Sequence, residues 1–398
     1  MATELEQALA QGVQDAKIPH AVVYATNKDG TFTYHHATGF HHYGSKQEDS
    51  SPIQPNALFM LASASKLLTA IAALKAVELG FLTLEEDICL HLPELASKQV
   101  LHGFDEATNA PILKPRQHPI TLTHLLAHSS GHTYGFHPDI IKYAAVMGQP
   151  APTSAMQATI AERYDTPLAF EPGTSWAYSP GLDWTGLLIQ RVTGLTLEEF
   201  EQKHLWQPLG ITEITFWPSA EKKNVATPQL CVRRKDRTLI PYQGETINTH
   251  STECFGGHGM YANLADYILV LQSLLANDGK LLLPTSVEAL FTPQLGAESQ
   301  KALNEFIQTW HTTIPGDWNP DIPTSYALGG IVFLEDDVGR RKKGTLSWGG
   351  LFNPFWIVDR ESDVAYCFGT QVLPPGDKGC KEMSAVAERA IYKMAGKA

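Results

Sequence analysis

The chain has 398 residues, 43% hydrophobic and 18% charged, an ordinary globular composition with core enough for one large domain or two interlocked ones. Its formal charge of −12 argues against nucleic acid or an anionic membrane surface as the main partner. No apolar run reaches the roughly 18 residues of a membrane span, the start Met1-Ala-Thr-Glu-Leu-Glu-Gln lacks the basic residues of a signal peptide, and five scattered cysteines without a C-x-x-C suit a reducing compartment. A soluble cytoplasmic protein is expected.

Residues 3–16 predict an amphipathic helix with Leu5, Ala8, Leu9, Val13 and Ala16 on one face. Two strands follow, His20–Thr26 and Thr31–His36, joined through the turn Asn27-Lys-Asp-Gly30. After a polar loop, a central apolar helix spans 63–79 and stops at Gly80. From there to about residue 220 helix and loop alternate, with short helices at Thr121–His128, Pro180–Thr193 and Leu197–His204. Strand patterns return at Tyr326–Leu334, Lys343–Trp348, Phe355–Asp359 and Val364–Gln371, and a helix over Lys381–Met394 ends the chain. The stretch Glu298–Ser325 has few periodic cues and reads as an excursion near a cleft. These elements predict an α/β (α+β) fold: an antiparallel sheet built from both termini, flanked by helices, with an inserted all-helical domain. The expected division is 1–80 with 225–398 for the sheet domain and 81–224 for the mostly helical one, the active site lying in the cleft between them.

The stretch with chemistry in it is Leu61-Ala-Ser-Ala-Ser-Lys-Leu-Leu68. On a helix, Ser63 and Lys66 stack one turn apart. A serine hydroxyl needs a base within hydrogen-bond reach, and a lysine becomes that base where an apolar wall, here Leu67, Leu68, Ile71, Ala72 and Leu74, disfavours its charge. A second S-x-x-K, Ser219-Ala-Glu-Lys222, sits in a polar stretch after a proline, where the lysine stays solvated.

Three further segments bear on the site. In Glu171-Pro-Gly-Thr-Ser-Trp-Ala-Tyr178, the tyrosine precedes a helix. It is either a general acid–base or a half-buried residue with its hydroxyl on the backbone. Gly344-Thr-Leu-Ser-Trp-Gly-Gly350 ends a strand in two glycines, which either bring an N–H to an oxyanion or simply let the chain turn. Glu253-Cys-Phe-Gly-Gly-His-Gly-Met260 is a tight loop beside a site or merely a turn.

Taken in chain order, with Thr123-His-Leu-Leu-Ala-His-Ser-Ser-Gly-His132 after the first and Glu253–Met260 before the closing Trp348-Gly-Gly350, these motifs resemble the serine β-lactamase and penicillin-binding-protein superfamily. Within it the chain is most similar to class C-like esterases and to fungal acyltransferases of the lovastatin side-chain transesterase type. The likeness extends to Val100-Leu-His-Gly-Phe-Asp105 and Leu328-Gly-Gly-Ile331 and covers nearly the whole chain. It implies Ser63 as the acylated nucleophile, Lys66 as its base and Tyr178 as a proton shuttle. Trp348, Gly349 and Gly350 stand where lactam-hydrolysing members have Lys-Thr-Gly. The oxyanion hole would use the Ser63 N–H and one near Gly349 or Gly350. No cofactor is implied.

Two departures matter. Pro180 occupies the place of the asparagine usually found two residues after the tyrosine. Trp348 replaces the lysine that would hold a β-lactam carboxylate, which favours an uncharged acyl chain or aromatic ester. The resemblance implies acyl transfer from an ester or thioester donor, free or carrier-bound, to a small-molecule alcohol in secondary metabolism, with ester hydrolysis as the alternative. A β-lactamase and a non-catalytic binding protein are the weaker rivals. A metal site at His124, His128 and His132 is disfavoured because Ser129-Ser-Gly131 should break the helix between them. A Cys254–His258 thiol pair is the rarer case for a lone cysteine, and no G-x-S-x-G elbow appears.

Overall fold

The structure is a computed structural model that describes residues 1–44, 51–149, 157–220 and 226–397. Its principal helices are α1 (Ala2–Gln14), α2 (Ser65–Glu78), α3 (Gly181–Thr193), α4 (Leu264–Ala276), α5 (Ala297–Trp310) and α6 (Lys378–Met394). The main sheet is formed by β1 (His20–Thr26), β2 (Thr33–Gly39), β3 (Thr324–Tyr326), β4 (Ile331–Phe333), β5 (Leu346–Gly349), β6 (Phe355–Asp359) and β7 (Val364–Gly369). The seven strands run in the order β3-β4-β5-β6-β7-β1-β2, every pair antiparallel. The β7–β1 ladder, with Tyr24 opposite Cys367, is where the two ends of the chain meet.

Helices cover both faces of this sheet. Neighbouring strand residues point to opposite faces, and on β7 the Tyr366 hydroxyl donates to the Ser384 carbonyl of α6 while the Cys367 thiol faces the Leu264 carbonyl at the start of α4. α1 packs beside α6 and onto β2. α2 runs between the sheet side and α3, and its residues from Ser65 to Leu74 are all buried. All five cysteines are buried and unpaired, and burial raises every thiol, those of Cys89, Cys231 and Cys254 to about 12. Among the described residues, no helix is long and apolar enough to cross a membrane.

Several elements differ from expectation, each for a local reason. β2 begins at Thr33 rather than Thr31, because the Asn27 side chain binds the Phe32 N–H and Asp29 binds that of Thr31, which keeps the turn closed two residues longer. The single strand read at 326–334 is two strands. Ala327 N–H bonds to the Gly330 carbonyl, and the chain reverses through Leu328-Gly-Gly330. The inserted segment is not all helical, for Gln99–Phe104 pairs with Pro111–Pro115 in a hairpin. Residues 297–310, read as lacking periodicity, form α5. Its buried stripe is thin, Ser299, Leu303 and Ile307, and one of the three is polar.

Candidate active site

Ser63 does not lie on the central α-helix. It sits in a 3₁₀ turn, Ala62–Ala64, that leads into α2. The turn is held from several sides: Leu61 N–H donates to the Met260 carbonyl (2.9 Å), Tyr267 hydroxyl to the Ala64 carbonyl (3.0 Å) and Met260 N–H to Ser65 Oγ (3.2 Å). Ala62 has φ +45°, a conformation that residues with a Cβ rarely adopt, and these bonds keep it there.

Lys66 is wholly buried beneath this turn. Its Nζ lies 2.7 Å from the Gly257 carbonyl, 3.0 Å from the Tyr134 hydroxyl and 3.5 Å from Ser63 Oγ. The Tyr134 hydroxyl has one proton, which it donates to Asp183 Oδ2 at 3.2 Å, so it meets Lys66 as an acceptor. Asp183, fully buried, also takes the Gly257 N–H at 2.8 Å. Burial, with the Asp183 charge beside it, raises Tyr134 well above the usual phenol range and keeps it protonated. A neutral amine has two N–H groups and one lone pair. The Gly257 and Tyr134 acceptors match the two N–H groups, which leaves the lone pair for Ser63. Tyr134 and Gly257 thus hold Lys66 although Pro180 offers it no amide.

Tyr178 stands over Lys66, its ring centroid 4.8 Å from Nζ. Its hydroxyl accepts from Trp348 Nε1 at 3.1 Å, a side chain and not the backbone group of the alternative reading. Behind it His128 Nδ1 accepts from Ser179 N–H (3.2 Å), so its Nε2–H donates to the Tyr326 hydroxyl (3.1 Å). Burial holds His128 well below the usual imidazole range, and any charge on Lys66 pushes it the same way. The Tyr178 position is therefore fixed through its neighbour Ser179.

Gly350 shows why the strand ends without side chains: a Cβ there would overlap the Leu61 carbonyl oxygen, two residues before Ser63. Its N–H is spent on the Pro354 carbonyl (2.9 Å), so an oxyanion donor on this strand falls to a neighbour of Gly350. Ser63, Tyr178, Trp348, Gly349 and Gly350 line one cavity of about 370 Å³, whose remaining lining is mostly apolar and aromatic and includes Phe136, Phe306 and Trp310.

Tyr134, Asp183 and His128 were not singled out as site residues. His128 lay inside a quoted motif, but nothing in residue spacing brings Tyr134 or Asp183 to Lys66. The other histidine groupings disperse. His124 caps its own helix through the Thr121 N–H, and His132 packs against Trp184. The His258 ring nitrogens meet Asn248 and Tyr164 rather than Cys254. Among the described residues no group of three or more His, Cys, Asp or Glu side chains is placed to hold a metal. Of the second S-x-x-K, Ser219 is exposed and Lys222 lies outside the described residues.

The family model for Beta-lactamase matches residues 5–390. The chain belongs to the Beta-lactamase family. Among members of that family, it is 37% identical to the lovastatin esterase of Penicillium rubens, with 92% of each chain covered. It is 35% identical to the monacolin J acid methylbutanoyltransferase of Aspergillus terreus, over 98% of this chain and 95% of that one. Among solved structures, a mutant of the simvastatin synthase from Aspergillus terreus superimposes with a TM-score of 0.90 at 32% identity, covering 99% of this chain and 95% of its own. These relatives are enzymes, acyltransferases and an esterase, and the antiparallel sheet flanked by helices is the fold they share.

Proposed function

We propose that the protein is a serine acyltransferase that moves an acyl group from an ester or thioester donor to a small-molecule alcohol, by way of an acyl-enzyme on Ser63. The observation that carries this is the placement of Lys66, whose two acceptors leave its lone pair for Ser63 Oγ at 3.5 Å under an apolar cavity. A separation of 3.5 Å is within the range from which catalytic hydrogen bonds tighten in the transition-state complex.

In the first half-reaction Lys66 takes the Ser63 proton as Oγ attacks the acyl carbonyl. The oxyanion is met by the Ser63 N–H and one beside Gly350. Tyr178, its hydroxyl oriented by the Trp348 indole, delivers a proton to the leaving group. In the second half-reaction the Tyr178 phenolate takes the proton of the incoming alcohol as its oxygen attacks the acyl carbonyl, and Lys66 returns its proton to Ser63 Oγ as the acyl-enzyme bond breaks, which releases the new ester and restores both groups. The apolar, aromatic lining supports an uncharged acyl chain and a cleft poor in water, which favours an alcohol over hydrolysis. Relatives named as a monacolin J acid methylbutanoyltransferase and as an acyltransferase support a place in secondary metabolism, and a donor carried on a protein is compatible with a cavity that reaches the surface at Phe136 and Trp310.

Hydrolysis is the second function to test, because a relative of equal standing is named as an esterase. Intact-mass analysis after mixing with a p-nitrophenyl ester should show one acyl adduct, absent in Ser63→Ala. Clearance of that adduct by added alcohol faster than by water identifies a transferase; equal clearance identifies an esterase. The absence of any adduct overturns both.

A further inference from the structure

One side of the cavity is a single piece of chain. α5 turns Phe306 and Trp310 into it, and the turn that follows adds Thr313, Ile314 and Pro315. A helix ends in unpaired carbonyls and a partial negative charge, and α5 has no basic residue in its last turn. The cation comes from the far end of the chain. Lys381 on α6 donates from Nζ to the carbonyls of His311 (2.8 Å), Ile314 (3.0 Å) and Gly316. An ammonium has three N–H groups, and all three are spent on this one turn. The same stretch of chain touches the turn again at Gly376, where a Cβ would overlap Thr313, and Pro375 lines the cavity.

We propose that Lys381 is a positioning residue for substrate specificity: its ammonium fixes Thr313–Pro315 at the distance from Ser63 that sets which acyl groups fit. Resting on the acyl-enzyme role proposed for this cleft, it acts on the size of the acyl group and not on the chemical step. Asp317, the carboxylate whose charge acts on Lys381, is engaged by Arg340 (2.9 Å) and Arg389 (3.0 Å), so the carbonyl cage is the main partner of Lys381. Burial lowers Lys381 to about 8; Asp317 opposes that shift, and Arg341 and Arg340 add to it. His311, on the turn itself, directs Nδ1 to the Gln308 carbonyl. Above that pH the amine keeps two N–H groups for three carbonyls and loses its charge, and the turn loosens.

The test is the ratio of kcat/KM for p-nitrophenyl acetate to that for p-nitrophenyl hexanoate, in wild type, Lys381→Met and Lys381→Arg, from about pH 6.5 to about pH 9.5 on either side of the titration. Lys66 and Tyr178 act on both esters alike and cancel in the ratio. In Lys381→Met the ratio should rise about tenfold through a higher KM for hexanoate, the kcat for acetate staying within about twofold. The wild-type ratio should climb towards that value above about pH 8, and Lys381→Arg, which stays charged, should remain flat. A ratio independent of pH in wild type and unchanged in Lys381→Met overturns the proposal; the wild-type series decides alone if a variant does not fold. Acyl adduct measured by intact mass in the same samples separates the outcomes. No adduct in wild type fails the acyl-enzyme, whereas an adduct with an unmoved ratio fails Lys381 alone.

Discussion

On the floor of the cleft Lys66 is fully buried between a carbonyl and a hydroxyl, whereas on its rim Trp310 and Phe136 are 50% and 52% exposed and meet solvent. The floor fixes atoms. Tyr134 is wired to Asp183, Asp183 to the Gly257 N–H, and Gly257 back to Lys66, so no member can turn without stranding another buried polar group. The wall fixes a surface, and its end is tied back by the Lys381 ammonium and by the Trp318 indole, which donates to the Pro315 carbonyl at 2.6 Å. Proton transfer needs a lone pair aimed at one oxygen, which demands the first kind of construction. Accepting an acyl chain needs only a shaped apolar face, which tolerates the second.

If that contrast is right, floor variants should change kcat and wall variants KM. The largest effect is expected from Ser63→Ala, which should cut ester turnover by on the order of 10⁴-fold or more and remove the covalent adduct; full labelling in that variant would take the nucleophile's role from Ser63. Lys66→Ala should slow single-turnover acylation by about 10²–10⁴-fold, and a normal acylation rate would break the pairing. Tyr134→Phe removes one acceptor from Lys66 and should lower kcat about tenfold at constant KM. A rise in KM instead would place Tyr134 with the wall. Trp310→Ala should raise KM for a hydrophobic ester about threefold to tenfold with kcat held, since apolar contact is what it offers. Ser219→Ala should leave steady-state rates within about twofold, as exposed substitutions usually do.

The sheet strands at Phe355–Asp359 and Val364–Gly369 were legible because both faces are covered and all but the terminal residues, Asp359 and Gly369, are apolar or aromatic. The closeness of Ser63 to Lys66 was legible because they stand three residues apart in sequence. α5 was not, for its inner stripe is interrupted by Ser299 and its two aromatic residues at the cavity look like surface anomalies until the cavity is seen. Tyr134 and Asp183 stand 68 and 117 residues beyond Lys66, and only folding brings the Tyr134 hydroxyl to the lysine and Asp183 to that hydroxyl. Lys381 is the extreme case: nothing in Lys378-Gly-Cys-Lys381 indicates that its partners are three carbonyls of a turn some 70 residues earlier.

The five buried cysteines have a practical consequence at the bench. With every thiol shielded and held protonated, the native protein adds nothing to the colour of a disulfide reagent. A thiol released from a thioester donor can therefore be counted directly, turnover by turn, in the presence of the enzyme. The same reagent doubles as a clock for unfolding, because five new thiols per chain appear only when the core opens.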